Sequence, residues 1–330
     1  MSKMSTDLVR HALNGPTMGT RWSAIVYAAP DLEPARLRAA LAAAVGDVDR
    51  QMSTWSEDSD LMRLNRAETG RWVDGPAGLL TVLDAGLAIG RASGGAFDMG
   101  LGDAVRAWGF GAAEAAEDRI RAALHAPRRP TYEVLEIDIA RGRARKHAPL
   151  VLDLGGIAKG FGVDRLTETA CSFGIAHALL SIDGELRALG SQPGGAPWCI
   201  GVERPDHGHR AAHSVLTLGD AAVATSGDYR HWIDLGGRRW SHTMDPARGA
   251  PLADSPASVT VVAPTCLLAD AWATAMMVLG RDRGSELAQR LGLSVLFLDR
   301  DGAQLAQTRT GPVFAAFGQP ERPAAVTPPA

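Results

Sequence analysis

The stretch Ser255-Pro-Ala-Ser-Val-Thr-Val-Val-Ala-Pro-Thr-Cys-Leu-Leu-Ala-Asp-Ala-Trp-Ala-Thr-Ala-Met-Met-Val-Leu-Gly280 carries one charge, Asp270. Val259 to Ala263 is β-rich, Leu267 to Leu279 is helix-rich, and Pro264-Thr265 separates them. This predicts a buried strand, a turn capped by Thr265, and a core helix ended by Gly280. Two prolines and an acid argue against a membrane span of the same length. A carboxylate in so apolar a helix needs a partner, because burying it alone costs several kcal/mol, on the order of what neutralises it. Thr274 lies one turn on, on the same face. An acid and a hydroxyl so placed are oxygen donors suited to a hard cation such as Mg²⁺.

Outward from this segment, strands come in pairs joined by polar turns. They are expected at Thr20–Tyr27, Val134–Ile139 with Arg143–His147, Val151–Leu154, Ala178–Ile182, Trp198–Val202 and Ser214–Leu218, with a closing hairpin around 299–302. Helices are expected at Glu33–Met52, Pro76–Arg91, Glu114–Leu124, after Gly160 through Cys171, and at Arg283–Leu291. Paired strands with helices inserted in clumps indicate an α+β fold, antiparallel sheets covered by helices, rather than βαβ alternation. One catalytic unit over residues 14–318 is expected, with an N-terminal extension before it and a disordered Pro/Ala-rich tail from Gln319.

Composition narrows the function. The chain has 330 residues, 46% apolar and 22% charged, with a net charge of −3. That is ordinary globular usage with no electrostatic footprint for nucleic acid. Three cysteines without metal or redox spacing indicate reduced thiols. The first twenty residues hold no apolar segment of signal-peptide type, which predicts a cytoplasmic protein, or a periplasmic one if this is a trimmed form of a longer chain.

Several polar segments are candidates for chemistry. Asp153-Leu-Gly-Gly-Ile-Ala-Lys159-Gly160 joins an expected strand to a helix, where glycines admit a ligand close to the backbone and Lys159 suits a phosphate. It lacks the P-loop order. Ala224-Thr-Ser-Gly-Asp-Tyr-Arg230 reads as a polar turn, and Ser226 lacks a nucleophile-elbow frame. His242-Thr-Met-Asp-Pro-Ala-Arg-Gly249 follows a hairpin around Gly236-Gly237, and a histidine there is a natural base for a hydroxyl. Met52-Ser-Thr-Trp55-Ser56 and Asp58-Ser-Asp-Leu-Met-Arg-Leu-Asn65 end the first long helix; by pattern alone Trp55 reads as core. Gly94-Gly-Ala-Phe-Asp98 and Trp108-Gly-Phe-Gly111 have the texture of ligand-facing loops.

In this order the motifs resemble the ApbE-type flavin transferases, the FAD:protein FMN transferases. Met18-Gly-Thr20, Met52-Ser-Thr-Trp55 with Arg63-Leu-Asn65, Gly95-Ala-Phe-Asp98, Trp108 to Gly111, Asp153 to Gly160 with Val163-Asp164, Ala224 to Arg230, His242 to Gly249 and Asp270-Ala-Trp-Ala-Thr274 carry the resemblance. It implies a two-lobed fold with T-fold-like elements and FAD in a central cleft. It implies Mg²⁺ on Asp270, Thr274 and the Gly156 carbonyl, with Asp153 and Lys159 along the FAD. Ala96, Phe97 and Asp98 would line its adenosine or ribityl part, Met18, Trp55 and Met244 would contact it, and His242 would be the catalytic histidine. The implied reaction moves FMN from FAD to a Ser or Thr hydroxyl of an acceptor flavoprotein subunit of a redox system, releasing AMP. A pyrophosphatase giving FMN and AMP and a non-catalytic flavin carrier are alternatives on the same site; a hydrolase using Ser226 is a more distant one. Ser181-Ile-Asp183-Gly184-Glu185 and Arg248 depart from the family pattern.

Overall fold

Every residue of Ser258-Val-Thr-Val-Val-Ala263 is buried, because both faces of this strand are covered. In the computed structural model it sits inside an eight-stranded antiparallel sheet. The model describes residues 8–111, 114–206, 208, 210–235, 237–302 and 304–315.

The strands of that sheet follow one another in chain order: Val9–Thr17, Thr20–Ala28, His177–Ile182, Glu185–Leu189, Ala222–Gly227, Ser258–Ala263, Ser294–Asp301 and Gln304–Thr310. The sheet is therefore a meander whose connections have been expanded. The connection from Ala28 to His177 holds most of the helices and a three-stranded sheet of Trp72–Asp74, Arg143–Lys146 and Leu135–Asp138. The connection from Gly227 to Ser258 holds the hairpin Trp232–Leu235 with Arg238–Ser241. Sites in this chain are built from insertions held by a common frame.

Side-chain alternation sends successive residues of each strand to opposite faces. Val259, Val261, Ala222 and Ala224 enter the main core, where helices Pro34–Met52, Ala158–Ser172 and Cys266–Leu291 pack. Val262, Val223, Leu296 and Leu298 face the other way, into a core closed by the Trp198–Glu203 and Ala212–Leu218 hairpin and by Phe314. A third cluster gathers Leu101, Ala104, Trp108, Ile120, Met244 and Ala250, apart from both. Antiparallel sheet, covering helices and a separate small cluster agree with the α+β expectation.

Several local expectations are corrected. The sheet begins at Val9, inside the stretch read as an extension. Leu152 and its neighbours form no strand: the Asn65 side chain accepts from Leu152 N at 2.7 Å and donates to Leu152 O at 2.9 Å, taking the bonds a neighbouring strand would make. Arg63 to Asn65 belong to a separate helix, Asp60–Arg66, capped by Ser59 accepting from Met62 N. Ser226 lies in the strand Ala222–Gly227, and the turn comes after it. Trp55 is 67% exposed and outside the core, held in a turn where Ser53 Oγ accepts from Trp55 N and Ser56 N. One expectation in this region holds: the core helix that starts at Cys266 ends at Gly280, whose φ of 72° and ψ of 176° are open to glycine alone, and helical backbone resumes beyond it to Leu291. The tail from Gln319 lies outside the described residues. Among the described residues no helix is long and apolar enough to cross a membrane.

Candidate active site

Two helices cross at their N-termini and bring the expected metal donors together. The Cys266–Leu291 helix starts at Thr265, whose hydroxyl accepts from Leu268 N. One turn in, Asp270 is 3% exposed, and its Oδ2 accepts from Gly160 N in the first turn of the Ala158–Ser172 helix at 2.9 Å. The backbones touch there: a Cβ on Gly160 would stand 2.8 Å from Asp270 Cβ. Gly156 sits as closely on Thr274, since a Cβ on it would stand 2.8 Å from Thr274 Oγ1. On its other side Thr274 Oγ1 lies 3.4 Å from Ser226 Oγ. Asp270, Thr274 and Gly156 thus meet in one place.

The electrostatics of that place are acidic. Lys159 Nζ is 2.9 Å from Glu185 Oε1 and 3.6 Å from Asp183 Oδ2. Burial alone would lower the Lys159 ammonium, but Glu185, Asp270 and Asp183 outweigh it and hold the group above its ordinary value. Burial, then the Glu185 charge, push Asp270 up to about 7, against the pull of Lys159 and the Gly160 amide. Burial also raises Glu185 despite Lys159, and Glu185 Oε2 is buried without a hydrogen-bond partner. Three carboxylates share one ammonium. The donors offered are a carboxylate, a hydroxyl and backbone, and among the described residues no three His, Cys, Asp or Glu side chains gather as a metal cluster. An all-oxygen set with few protein ligands and surplus negative charge fits Mg²⁺, which keeps positions for water and phosphate.

Asp153 precedes Gly156 in the same segment. Its Oδ1 accepts from Gly155 N at 2.8 Å, and its amide bonds Met99 O at 2.8 Å. Burial raises its carboxyl, while the Gly155 amide and the Arg106 charge pull it back. Thr54, Met62, Asn65, Arg106 and Asp153 line a small cavity with room for little more than a water molecule.

His242 approaches from the other connection. Its Nδ1 lies 3.3 Å from His231 O, and a carbonyl only accepts, so Nδ1 carries the hydrogen and Nε2 keeps its lone pair. The ring stands edge-on to His231 and Phe110. Burial, the His231 charge and the Lys159 charge bring His242 down to about 4, so it is neutral at pH 7. The loop after it is clamped: Trp108 Nε1 donates to Gly249 O at 3.2 Å, and a Cβ on Gly249 would collide with the Arg128 guanidinium.

The other expected flavin contacts divide. Met18, in the turn between the first two strands with φ 46°, reaches over the second helix, where a Cβ on Gly162 would stand 3.2 Å from Met18 Cε. Trp55 is open to a ligand. Ala96 and Phe97 are buried at 8% and 4% exposure, and Asp98 accepts from Gly100 N, Thr131 N and the Thr131 hydroxyl. Met244 packs in the small third cluster. Side chains at these four positions are engaged with the protein itself.

Sequence reasoning assigned no role to Asn65, Asp164, His231 or Glu185. Glu185 carried a signal, as the acidic end of a segment that departs from the family pattern.

The antiparallel α+β frame gathers oxygen donors of Asp270 and Thr274 at Gly156 and Gly160, where two helices begin, and carries a neutral His242 on a separate connection. The family model described as ApbE family matches residues 18–297, and the chain belongs to that family. An FAD:protein FMN transferase of Vibrio cholerae is 35% identical over 290 residues, covering 87% of this chain and 86% of that protein. One of Klebsiella pneumoniae is 33% identical over 311 residues, covering 92% and 88%. Among solved structures, the apo form of the Pseudomonas stutzeri flavinyl transferase ApbE superposes with a TM-score of 0.80 at 34% identity, covering 92% of this chain and 95% of that one. The Vibrio cholerae flavin transferase ApbE gives 0.82 at 31% identity, covering 94% and 99%.

Proposed function

We propose that this chain is an FAD:protein FMN transferase that moves FMN from FAD to a Ser or Thr hydroxyl of an acceptor flavoprotein subunit, with Mg²⁺ bound by Asp270, Thr274 and the Gly156 backbone. The observation that carries the mechanism is the meeting of those three residues beside Lys159. Relatives at 33–35% identity bear that enzyme name.

The acceptor oxygen attacks the FMN-side phosphorus of FAD, the bond from that phosphorus to the bridging oxygen breaks, and AMP leaves with that oxygen. The hydroxyl proton goes to Nε2 of His242. Asp270, Thr274 and the Gly156 backbone would hold Mg²⁺, which would supply Lewis-acid charge neutralisation. Lys159 adds a fixed positive charge for the pyrophosphate oxygens, held in place by Glu185. Trp55 offers an exposed indole for stacking on a flat ring. General-base assistance by His242 is worth ~10²–10⁴-fold in rate.

The test incubates the purified protein with FAD and Mg²⁺, with and without a candidate acceptor. FMN bound covalently to the acceptor, with AMP released, is the expected result. Free FMN plus AMP whether or not acceptor is present would make the protein a pyrophosphatase. Intact FAD bound to the protein would make it a carrier.

A further inference from the structure

The four N–H groups that open the Cys266–Leu291 helix are all accounted for, and two go to a residue 102 positions away. Asp164, on the Ala158–Ser172 helix, accepts from Cys266 N through Oδ1 and from Leu267 N through Oδ2, both at 2.9 Å. Thr265 takes Leu268 N with its hydroxyl and Ala269 N with its carbonyl. In return, Asp270 of the Cys266–Leu291 helix accepts from Gly160 N of the Ala158–Ser172 helix. Each helix is thus capped by an aspartate of the other. Arg187, on the strand Glu185–Leu189, completes the arrangement: its Nη1 is 2.5 Å from Asp164 Oδ1. Asp164 is 6% exposed.

The joint leaves little slack. A Cβ on Gly160 would stand closer to the Cys266 carbonyl than any real contact allows. The backbones are in contact, and the start of each helix is held by an aspartate of the other. Asp270 lies one turn beyond the amides Asp164 holds, and Thr274 lies one turn further.

We propose that Asp164 is a positioning residue for the metal site: by holding the Cys266 and Leu267 amides it sets Asp270 and Thr274 at the distance from Gly156 at which a divalent cation is bound. It touches neither substrate nor metal. The inference rests on the reading of Asp270, Thr274 and Gly156 as Mg²⁺ donors. Residues that orient metal ligands from behind typically change metal affinity by ~10–100-fold when replaced.

The test measures the thermal midpoint of the protein with FAD present and no acceptor, titrated with Mg²⁺, alongside the Mg²⁺ half-saturation of FMN transfer. Asp164→Asn keeps one acceptor oxygen and loses the other, so it preserves the fold better than Asp164→Ala, and it decides the question if the alanine variant does not fold. The wild type should gain thermal stability over a defined Mg²⁺ range, as any ligand bound by the native state alone must give. Asp164→Asn should need ~10-fold more Mg²⁺ in both measurements, with transfer recovering at saturating metal. A midpoint lowered equally at every Mg²⁺ concentration, with half-saturation unmoved, overturns the proposal and makes Asp164 a helix cap only. A wild type indifferent to Mg²⁺ in both measurements overturns the metal assignment itself, and the inference with it.

Discussion

Lys159 Nζ stands 2.9 Å from Glu185 Oε1, and the second oxygen of Glu185 is buried with no hydrogen-bond partner. Asp183, on the turn before Glu185, is a further 3.6 Å contact of the same ammonium. Lys159 is therefore committed to these two carboxylates while it also feels the charge of Asp270.

That pairing makes Lys159 structural as well as electrostatic. Lys159→Met leaves Glu185, whose side chain is 5% exposed, without its counter-charge. The expected loss of stability in urea unfolding is about 3 kcal/mol, the lower end for a broken buried pair because Lys159 keeps 29% exposure. Adding Glu185→Leu should recover most of that loss, since the uncompensated charge goes with it. A double variant no more stable than Lys159→Met would show that the pair does not act as a unit.

Asp270→Asn separates charge from hydrogen bonding. The amide oxygen still accepts from Gly160 N, so the helix crossing survives, and a carboxylate that burial pushes up to about 7 is removed. The thermal midpoint in the absence of metal should stay within a few degrees of the wild type. FMN transfer at millimolar Mg²⁺ should fall by more than ~10²-fold, the scale of losing one fixed electrostatic contact to the transition state. Transfer at the wild-type rate would remove Asp270 from the metal site.

His242 gives a pH signature. Its native value near 4 lies below the ordinary 6.5, so between these limits the unfolded chain binds a proton that the native protein refuses. The stability contributed by the neutral ring is fully present above pH 6.5 and is lost as pH falls towards 4. His242→Gln should flatten the dependence of unfolding free energy on pH across that window, measured by denaturant titration at half-unit steps. The same variant should still bind FAD and lose transfer by ~10²–10⁴-fold. A pH slope identical to the wild type would mean that the ring titrates freely in the native state.

Trp55 is exposed enough that removing it should cost the fold almost nothing. Trp55→Ala is expected within ±0.5 kcal/mol of the wild type in stability, roughly the range of surface changes. FAD affinity, followed by quenching of flavin fluorescence, should weaken by about tenfold if the indole stacks on the isoalloxazine. Unaltered affinity would assign the stacking elsewhere.

The fold was legible where local chemistry and tertiary demand agree. Val259 to Ala263 followed by Thr265 and an alanine-rich helix could form little else, and that segment placed Asp270 and Thr274 on one helix face from the sequence alone. Leu152 was misread because its backbone bonds go to Asn65, 87 positions away, and no local pattern encodes that. Trp55 was misread by pattern because aromatic residues after a helix are usually buried, whereas the Ser53 turn here points the indole outwards. Asp164 and Glu185 are single acids whose partners are distant in the chain, so neither has a periodicity to betray it. The assignment to flavin chemistry came from ordered motifs, and the physical reading of residues reached only an oxygen-bound cation.

The mutual capping of the two helices also bears on when the site can exist. Asp270 meets Gly160 across 110 residues and Asp164 meets Cys266 across 102. Contacts of such separation form late, because the loop between them must close before they return any free energy. Thr265 caps the later helix locally, but neither helix gains the aspartate of the other until the two have docked, so Asp270, Thr274 and Gly156 come together in the same event that closes the core. A partly folded chain presents a lysine and scattered acids without the junction that gathers them. Assembly of that junction is thereby tied to the closing of long loops in the chain.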